Sequence, residues 1–215
     1  MSILFYRLRI FLILTVIFIG TGIVVLMISS KIGGHITINQ THNVYQDFIF
    51  KWITFVGDGI FVALGAVLFS LFYWKRYKIS IVLLSGLNLI LVLFASQFLK
   101  QIIYFDASRP VKFIGRESLY LVPDVSVYTE YSFPSGHTTA TFAFFAFVAF
   151  MFPKKPLFQV FCGVMALLVG YSRIYLSQHF LEDVVAGAGL GIICFMLSYL
   201  IVRVLPLKVN ITKER

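Results

Sequence analysis

The sequence predicts an all-α fold, a six-transmembrane-helix bundle, and three observations lead there. Hydrophobic residues make up 60% of the 215-residue chain and charged residues only 13%, where a soluble domain carries roughly a quarter charged residues. Mean hydropathy is +0.93, so polar surface is too scarce to cover the fold in water. Six apolar stretches are long enough to cross, or nearly cross, a hydrocarbon core of about 30 Å at about 1.5 Å per residue.

The first stretch, 10–29, follows Arg7 and Arg9. Its apolar core is too long for a signal-peptide h-region and no small-x-small cleavage site follows, so it reads as an anchor helix. The second and third, 55–74 and 79–98, are joined by a short basic turn, and Trp52 and Trp74 fall at expected interfaces, where amphipathic rings anchor. The fourth, 137–153, is short and needs its flanks to complete a span. The fifth covers 157–174 and the sixth 183–204, where Gly187 and Gly191 stand at GxxxG spacing and allow another helix close approach. The length suits one membrane domain over 1–215 with no separate soluble domain. Cys162 and Cys194 lie inside apolar runs and are expected to behave as small buried hydrophobes.

Basic residues set the orientation. With the N-terminus inside, the inner segments carry Arg7, Arg9, Lys75, Arg76, Lys78, Lys154, Lys155, Arg203, Lys208, Lys213 and Arg215, which is 11 of 18, on very short segments. Of the nine acidic residues all but Glu214 fall outside. The expected topology is N-in/C-in, with long outer loops near 30–54 and 99–136. A net charge of +9 would suggest nucleic acid in a soluble protein, but no Lys/Arg run with interleaved exposed aromatics appears, so no nucleic-acid partner is expected.

Three clusters of polar residues then meet at the outer face. LKQIIYFDASRP carries Lys100 and Arg109, FPSGHTT carries Ser135, Gly136 and His137, and SRIYLSQHFLED carries Arg173, His179 and Asp183. Charges in a membrane chain are costly and mark function. Lys100, Arg109 and Arg173 bring up to three positive charges to one pocket, and the start of the fourth helix adds backbone N–H donors for an anion. Gly136 lets the backbone approach that anion and Ser135 can donate one more bond. A tetrahedral phosphate fits this set better than a carboxylate. Asp183, four residues after His179, shares its helical face and can accept the Nδ1 proton, leaving Nε2 as a nucleophile. His137 can protonate the leaving oxygen and later activate water. No cluster of carboxylates or cysteines offers a catalytic metal site, and no cofactor is expected.

Polar residues at helix ends are also ordinary, and His179 with Asp183 alone would fit an interfacial hydrogen-bonded pair. Lys112, Arg116, Glu117, Asp124 and Glu130 read as a solvated loop, as do His35 and His42. Asp58 stands near the outer end of the second helix, as a cap or as a support of the site.

These residues resemble the type 2 phosphatidic acid phosphatase (PAP2) superfamily. Its motif SR-x5-H-x3-D is matched by Ser172, Arg173, His179 and Asp183, and its PSGH by Pro134, Ser135, Gly136 and His137. The likeness covers about 45–200 and includes TFVGDG at 54–59. The first motif, Lys-x6-Arg-Pro, departs from pattern: eight residues separate Lys100 from Arg109, Asp106 falls in the gap as a competitor for either cation, and Lys112 stands near as a substitute. The resemblance implies His179 as nucleophile, Asp183 as its orienting partner and His137 as general acid/base. Lys100, Arg109, Ser135, Gly136 and Arg173 would bind phosphate.

The expected function is hydrolysis of a lipid-linked phosphomonoester or diphosphate at the outer face of the bacterial inner membrane, through a metal-independent phosphohistidine. Candidate substrates are undecaprenyl diphosphate, phosphatidic acid, phosphatidylglycerol phosphate and the phosphates of lipid A. Two alternatives stand beside it: a lipid phosphotransferase using the same phosphohistidine, and a transporter using the His–Asp pair as a proton relay. Relay sites lie near the midplane on broken helices, whereas these groups cluster at one interface.

Overall fold

The computed structural model describes residues 2–206; Lys208, Lys213, Glu214 and Arg215, counted above for orientation, lie outside the described residues. Among the described residues every element is helical or irregular. The first five helices are α1 (Ser2–Ile28), α2 (Lys31–Asn39), α3 (Val44–Ile53), α4 (Gly59–Phe72) and α5 (Trp74–Tyr77). They are followed by α6 (Ile79–Phe98), α7 (Pro110–Ile114), α8 (Gly136–Phe150), α9 (Pro156–Tyr175) and α10 (Leu181–Val204). Each of the six apolar stretches lies in a helix: 10–29 in α1, 55–74 in α4 and its flanks, and the others in α6, α8, α9 and α10.

Among the described residues four helices are long and apolar enough to cross a membrane: Ile3–Ile28, Ile79–Ile103, Pro156–Tyr175 and Leu181–Val204. The pair Val44–Gly57 and Gly59–Phe72 qualifies together, bent by 59°. Asp58 stands at that bend and caps α4, its Oδ1 accepting the Ile60 N–H at 2.8 Å.

The bundle is built around α8. Its sequence GHTTATFAFFAFVAF is apolar all round, which is the pattern of a helix enclosed on every side, and Thr138 through Phe150 are all buried. At 15 residues it rises only about 22 Å. Enclosure by α1, α4, α6, α9 and α10 relieves it of matching the bilayer. Lipid tails are as apolar as the side chains, so helices associate here through close packing and interhelical hydrogen bonds. Both are present. A Cβ on Gly187 would stand 2.7 Å from the Ser135 carbonyl oxygen, and one on Gly191 only 2.5 Å from that of Thr139, so the GxxxG face of α10 lies directly on the α8 backbone. Asn88 of α6 donates to the Ala143 carbonyl at 3.1 Å, and Ser70 and Ser85 join α4 to α6 at 2.8 Å.

The segments expected as long outer loops are more ordered than that. Within 30–54, Ser30 caps α2 through the Gly33 N–H and Asn43 caps α3 through the Gln46 N–H. Helices of nine or ten residues are marginal alone and here are held by contacts with α9 and the loop after α7. His42 stacks on Tyr120 with ring centroids 3.5 Å apart. Asp47 of α3 accepts from both the Tyr175 and the Tyr120 hydroxyls, at 2.6 and 2.7 Å. His35, expected in a solvated loop, is instead packed and only 3% exposed, whereas His42 stays exposed as expected, one face of its ring covered by Tyr120.

Candidate active site

Every segment that carries an expected site residue ends at the same pole of the bundle. The C-terminus of α6 brings Lys100, the loop before α7 brings Arg109, and the N-terminus of α8 brings Gly136 and His137. The end of α9 brings Arg173, and the turn between α9 and α10 brings His179.

Lys100 is placed by an irregularity in α6. The helix tightens no further at Phe98 but widens, and residues Leu99–Ile103 form a π turn closed by Tyr104 N–H donating to the Leu99 carbonyl at 2.8 Å. A π turn takes up an extra residue in a helix, and here it overlaps the start of the lengthened Lys100–Arg109 stretch. Lys100 Nζ turns into the pole and donates to the Tyr131 carbonyl at 3.1 Å. Lys112 instead pairs with Glu130 at 2.5 Å on the exposed rim.

Arg109 precedes Pro110, the first residue of α7. Its Nε donates to the Glu130 carbonyl at 2.7 Å and its Nη1 to the Gln178 carbonyl at 3.0 Å. Its guanidinium lies over the Tyr128 ring, 5.3 Å from the centroid. Burial draws its pKa down from the usual arginine range, yet it remains a cation. Arg173 is 6% exposed; its Nη1 donates to Thr54 Oγ1 at 2.6 Å, and its Nε is buried without a protein partner. Three buried cations and an unpartnered N–H make this pole a favourable seat for an anion.

His179 is reached through a reversal of the chain. Ser177 adopts φ +52°, a left-handed conformation costing a non-glycine residue about 1–2 kcal/mol. Two contacts hold it there: Ser177 Oγ meets His35 Nε2 at 3.1 Å and the Asn39 amide at 3.1 Å. Past this turn His179 is 1% exposed. Its Nδ1 lies 3.3 Å from Asp183 Oδ2, and its Nε2 lies 3.4 Å from Arg109 Nη1. A guanidinium only donates, so Nε2 carries the lone pair and Nδ1 the proton. Burial, then the Arg109, Lys100 and Arg173 charges, holds the imidazole well below its ordinary pKa. It is a neutral base with its free lone pair aimed at the cations.

A cavity of about 410 Å³ opens in front of Nε2. Lys100, Arg109, Gly136, His137, Arg173 and His179 line one end; Val62, Ala63, Leu89, Val92 and Leu93 line the other, between α4 and α6. Leu89 lies 11 residues before Lys100 on α6, so the apolar part descends about 16 Å below the charged part. A Cβ on Gly136 would meet only Lys100, at 3.9 Å, so the glycine leaves free space beside that amine. Of the expected phosphate ligands, Ser135 is not on the cavity wall: it is fully buried, caps α8 and accepts from Thr138 Oγ1 at 2.9 Å. Asp183 lies off the cavity wall, behind His179.

Several residues at the site escaped sequence reasoning. The segment 129–132 touches the first and third motifs: the Thr129 carbonyl accepts from the Arg109 backbone N–H at 2.8 Å, the Glu130 carbonyl from its side chain, and the Tyr131 carbonyl from Lys100. Ser132 Oγ donates to Asp183 Oδ2 at 2.5 Å. Thr54, Tyr128 and Gln178 complete the surround. The carbonyls leave no mark in the sequence; the visible signals are Ser132, three residues before PSGH's serine, and Thr54, which opens the TFVGDG stretch. Among the described residues no group of three or more His, Cys, Asp or Glu side chains is placed to hold a metal ion.

The arrangement bears comparison with known proteins. The profile of the PAP2 superfamily matches residues 81–206. Phosphatidylglycerophosphatase B of Bacillus subtilis is 29% identical over 167 residues, 73% of this chain and 69% of that protein. Lipid A 4'-phosphatase of Porphyromonas gingivalis is 29% identical over 163 residues, 74% of this chain and 66% of that protein. The chain thus spans about two thirds of each relative's length. Among solved structures, LpxE of Aquifex aeolicus aligns with a TM-score of 0.61 at 28% identity, covering 76% of this chain and 91% of that one. A PAP2-type phosphatidylglycerolphosphate phosphatase from Bacillus subtilis, 22% identical, shares the fold with a TM-score of 0.60 over 90% of this chain and 94% of its own.

Proposed function

From the premise that this chain belongs to the PAP2 superfamily, we propose that it is a membrane phosphatase that hydrolyses a lipid-linked phosphomonoester or diphosphate through a phosphohistidine. The carrying observation is the setting of His179: Nδ1 faces a carboxylate, Nε2 faces a guanidinium, and both stand at the charged end of a cavity whose other end is apolar. The named activities of the relatives, on phosphatidylglycerophosphate and on lipid A, support a lipid phosphate as substrate.

In the proposed reaction the phosphate enters among Lys100, Arg109, Arg173 and the first N–H groups of α8, with the lipid chain descending between α4 and α6. His179 Nε2 attacks phosphorus; the P–N bond forms as the P–O bond to the lipid breaks, and His137, as an imidazolium, gives a proton to the leaving oxygen and becomes a neutral base. Water, surrendering a proton to His137, then attacks the phosphohistidine, and the P–N bond breaks to release inorganic phosphate. The three cations stabilise the charge on the transferring group, and the wall of lysine and arginine suits this role without a metal. His179 and His137 act in the chemistry, Asp183 orients, and Ser135 shapes the turn that presents Gly136 and His137.

We further infer a topology of six spans, with α3–α4 counted as one bent span and α8 as an enclosed short one. Both ends of the chain are inside, and the site faces the extracytoplasmic side of the inner membrane. The distribution of basic residues supports this orientation.

The test is phosphate release by purified protein in micelles of phosphatidic acid, phosphatidylglycerol phosphate, undecaprenyl diphosphate or lipid A, with and without chelator. Release that survives chelation is expected from at least one of them. Release from none, or release abolished by chelator, contradicts the proposal.

A further inference from the structure

We propose that Ser132 is a positioning residue for the nucleophile, its hydroxyl clamping the Asp183 carboxylate so that the His179 proton stays on Nδ1. The inference rests on the phosphohistidine reading above.

Ser132 is 1% exposed and does not touch the cavity. Its backbone N–H is used by the Ala107 carbonyl at 2.9 Å, so the residue is anchored independently of its side chain. The hydroxyl lies between the two members of the dyad, 2.5 Å from Asp183 Oδ2 and 3.5 Å from His179 Nδ1. A carboxylate only accepts, so the hydroxyl proton goes to Oδ2, and the Oγ lone pairs are left facing Nδ1. Both side-chain neighbours of Nδ1 are then acceptors, and both favour the tautomer with the proton on Nδ1 and the lone pair on Nε2.

The clamp is external to the dyad. Oδ2 also accepts the Phe180 N–H at 2.9 Å, so its two shorter bonds come from Ser132 and the backbone, and the longest, 3.3 Å, from His179. The carboxylate is therefore held first by the clamp, and the imidazole is aligned to it. Remove the hydroxyl and a single fixed donor remains, about which the carboxylate turns. One fewer hydrogen bond to its charged form also lets a proton compete for it, and a protonated carboxyl would donate to Nδ1 and put the imidazole proton on Nε2. Ser132 further ties the dyad to the segment that receives Lys100 and Arg109, so the nucleophile is registered against the phosphate seat through one short ribbon.

The experiment compares wild type, Ser132→Ala and Ser132→Cys in detergent, each checked for its thermal unfolding midpoint. Cysteine fills the same space with a weak donor. Both variants are expected to lose kcat roughly 10- to 100-fold, the size usual for outer groups that orient a histidine. KM and competitive inhibition by vanadate should be unchanged, because the cations are untouched. The acid limb of the kcat/KM profile should move to higher pH. Wild-type kcat in Ser132→Ala, full activity in Ser132→Cys, a loss confined to KM, or an unmoved acid limb would each overturn the positioning role. Should the alanine variant not fold, the cysteine variant decides the matter alone. Absence of phosphate release by the wild-type protein would instead refute the phosphatase reading, which a silent Ser132 leaves intact.

Discussion

Arg109 Nη1 stands 3.4 Å from His179 Nε2, and since a guanidinium has no lone pair, the imidazole must present one to it. This contact orders the proton inventory of the pole: proton on Nδ1 against Asp183, lone pair on Nε2 toward the cations. Replacing Asp183 by Asn puts an amide where the acceptor was and permits the opposite tautomer. Phosphate release should fall by about 10³ to 10⁴ with little change in KM, as for a triad whose carboxylate is neutralised. Steady-state kinetics in detergent measure it.

Two glycines should separate seat from scaffold. A methyl group on Gly136 meets only Lys100 at 3.9 Å, so Gly136→Ala should fold normally and weaken phosphate binding, seen as a KM or vanadate constant raised at least about tenfold, the equivalent of about 1.4 kcal/mol. Gly191→Leu would drive atoms into the Thr139 carbonyl, 2.5 Å away at Cβ. It should destabilise the bundle by about 1–3 kcal/mol, read as a lowered unfolding midpoint.

The lengthened first motif poses a choice between lysines. Lys100 is buried at the cavity and Lys112 lies on the rim with Glu130. Lys100→Met should lower kcat/KM about 100-fold, the cost of removing one donor to transition-state charge. Lys112→Met should leave it within about twofold, since exposed ion pairs contribute little.

Stability at the site's outer cover should depend on pH. Burial pulls the His35 pKa from 6.5 down to about 4, with the Asp183 charge opposing it in part. Unfolded, the same imidazole binds a proton near pH 6.5, so between about 4 and 6.5 the unfolded chain holds more protons and stability rises with pH. The contribution is complete above 6.5 and lost as pH falls toward 4, on the order of 3 kcal/mol in all. Unfolding midpoints between pH 7 and 4.5 should drop more steeply in wild type than in His35→Gln.

Sequence and structure agree where information is local. Arg173, His179 and Asp183 stand within 11 positions, and one turn and one helix start suffice to bring them together. The FAFFAF run of α8 announces an enclosed helix by lacking a polar face. What escaped notice travels through the backbone or through tertiary contact. The carbonyls of Thr129, Glu130 and Tyr131 have no side-chain signature, and the π turn at Leu99–Ile103 looks like any apolar helix end. Helices α2 and α3 are short and mixed in polarity, and their order comes from Asp47, Asn39 and His35 gripping the α9–α10 turn. Ser135 belongs to a readable motif, yet its place as a cap behind the cavity depends on how α8 begins.

The covalent intermediate is the centre of the account, and it is open to direct detection. Protein incubated with a ³²P-labelled aryl phosphate, whose leaving group needs no proton, is quenched in base and resolved by electrophoresis. Wild type should show a trace of base-stable, acid-labile label, and His137→Ala should accumulate it because water is no longer activated. His179→Ala should show none while keeping its fold. Label that persists in His179→Ala, or turnover by wild type and His137→Ala with no label in either, would contradict a phosphohistidine at this site.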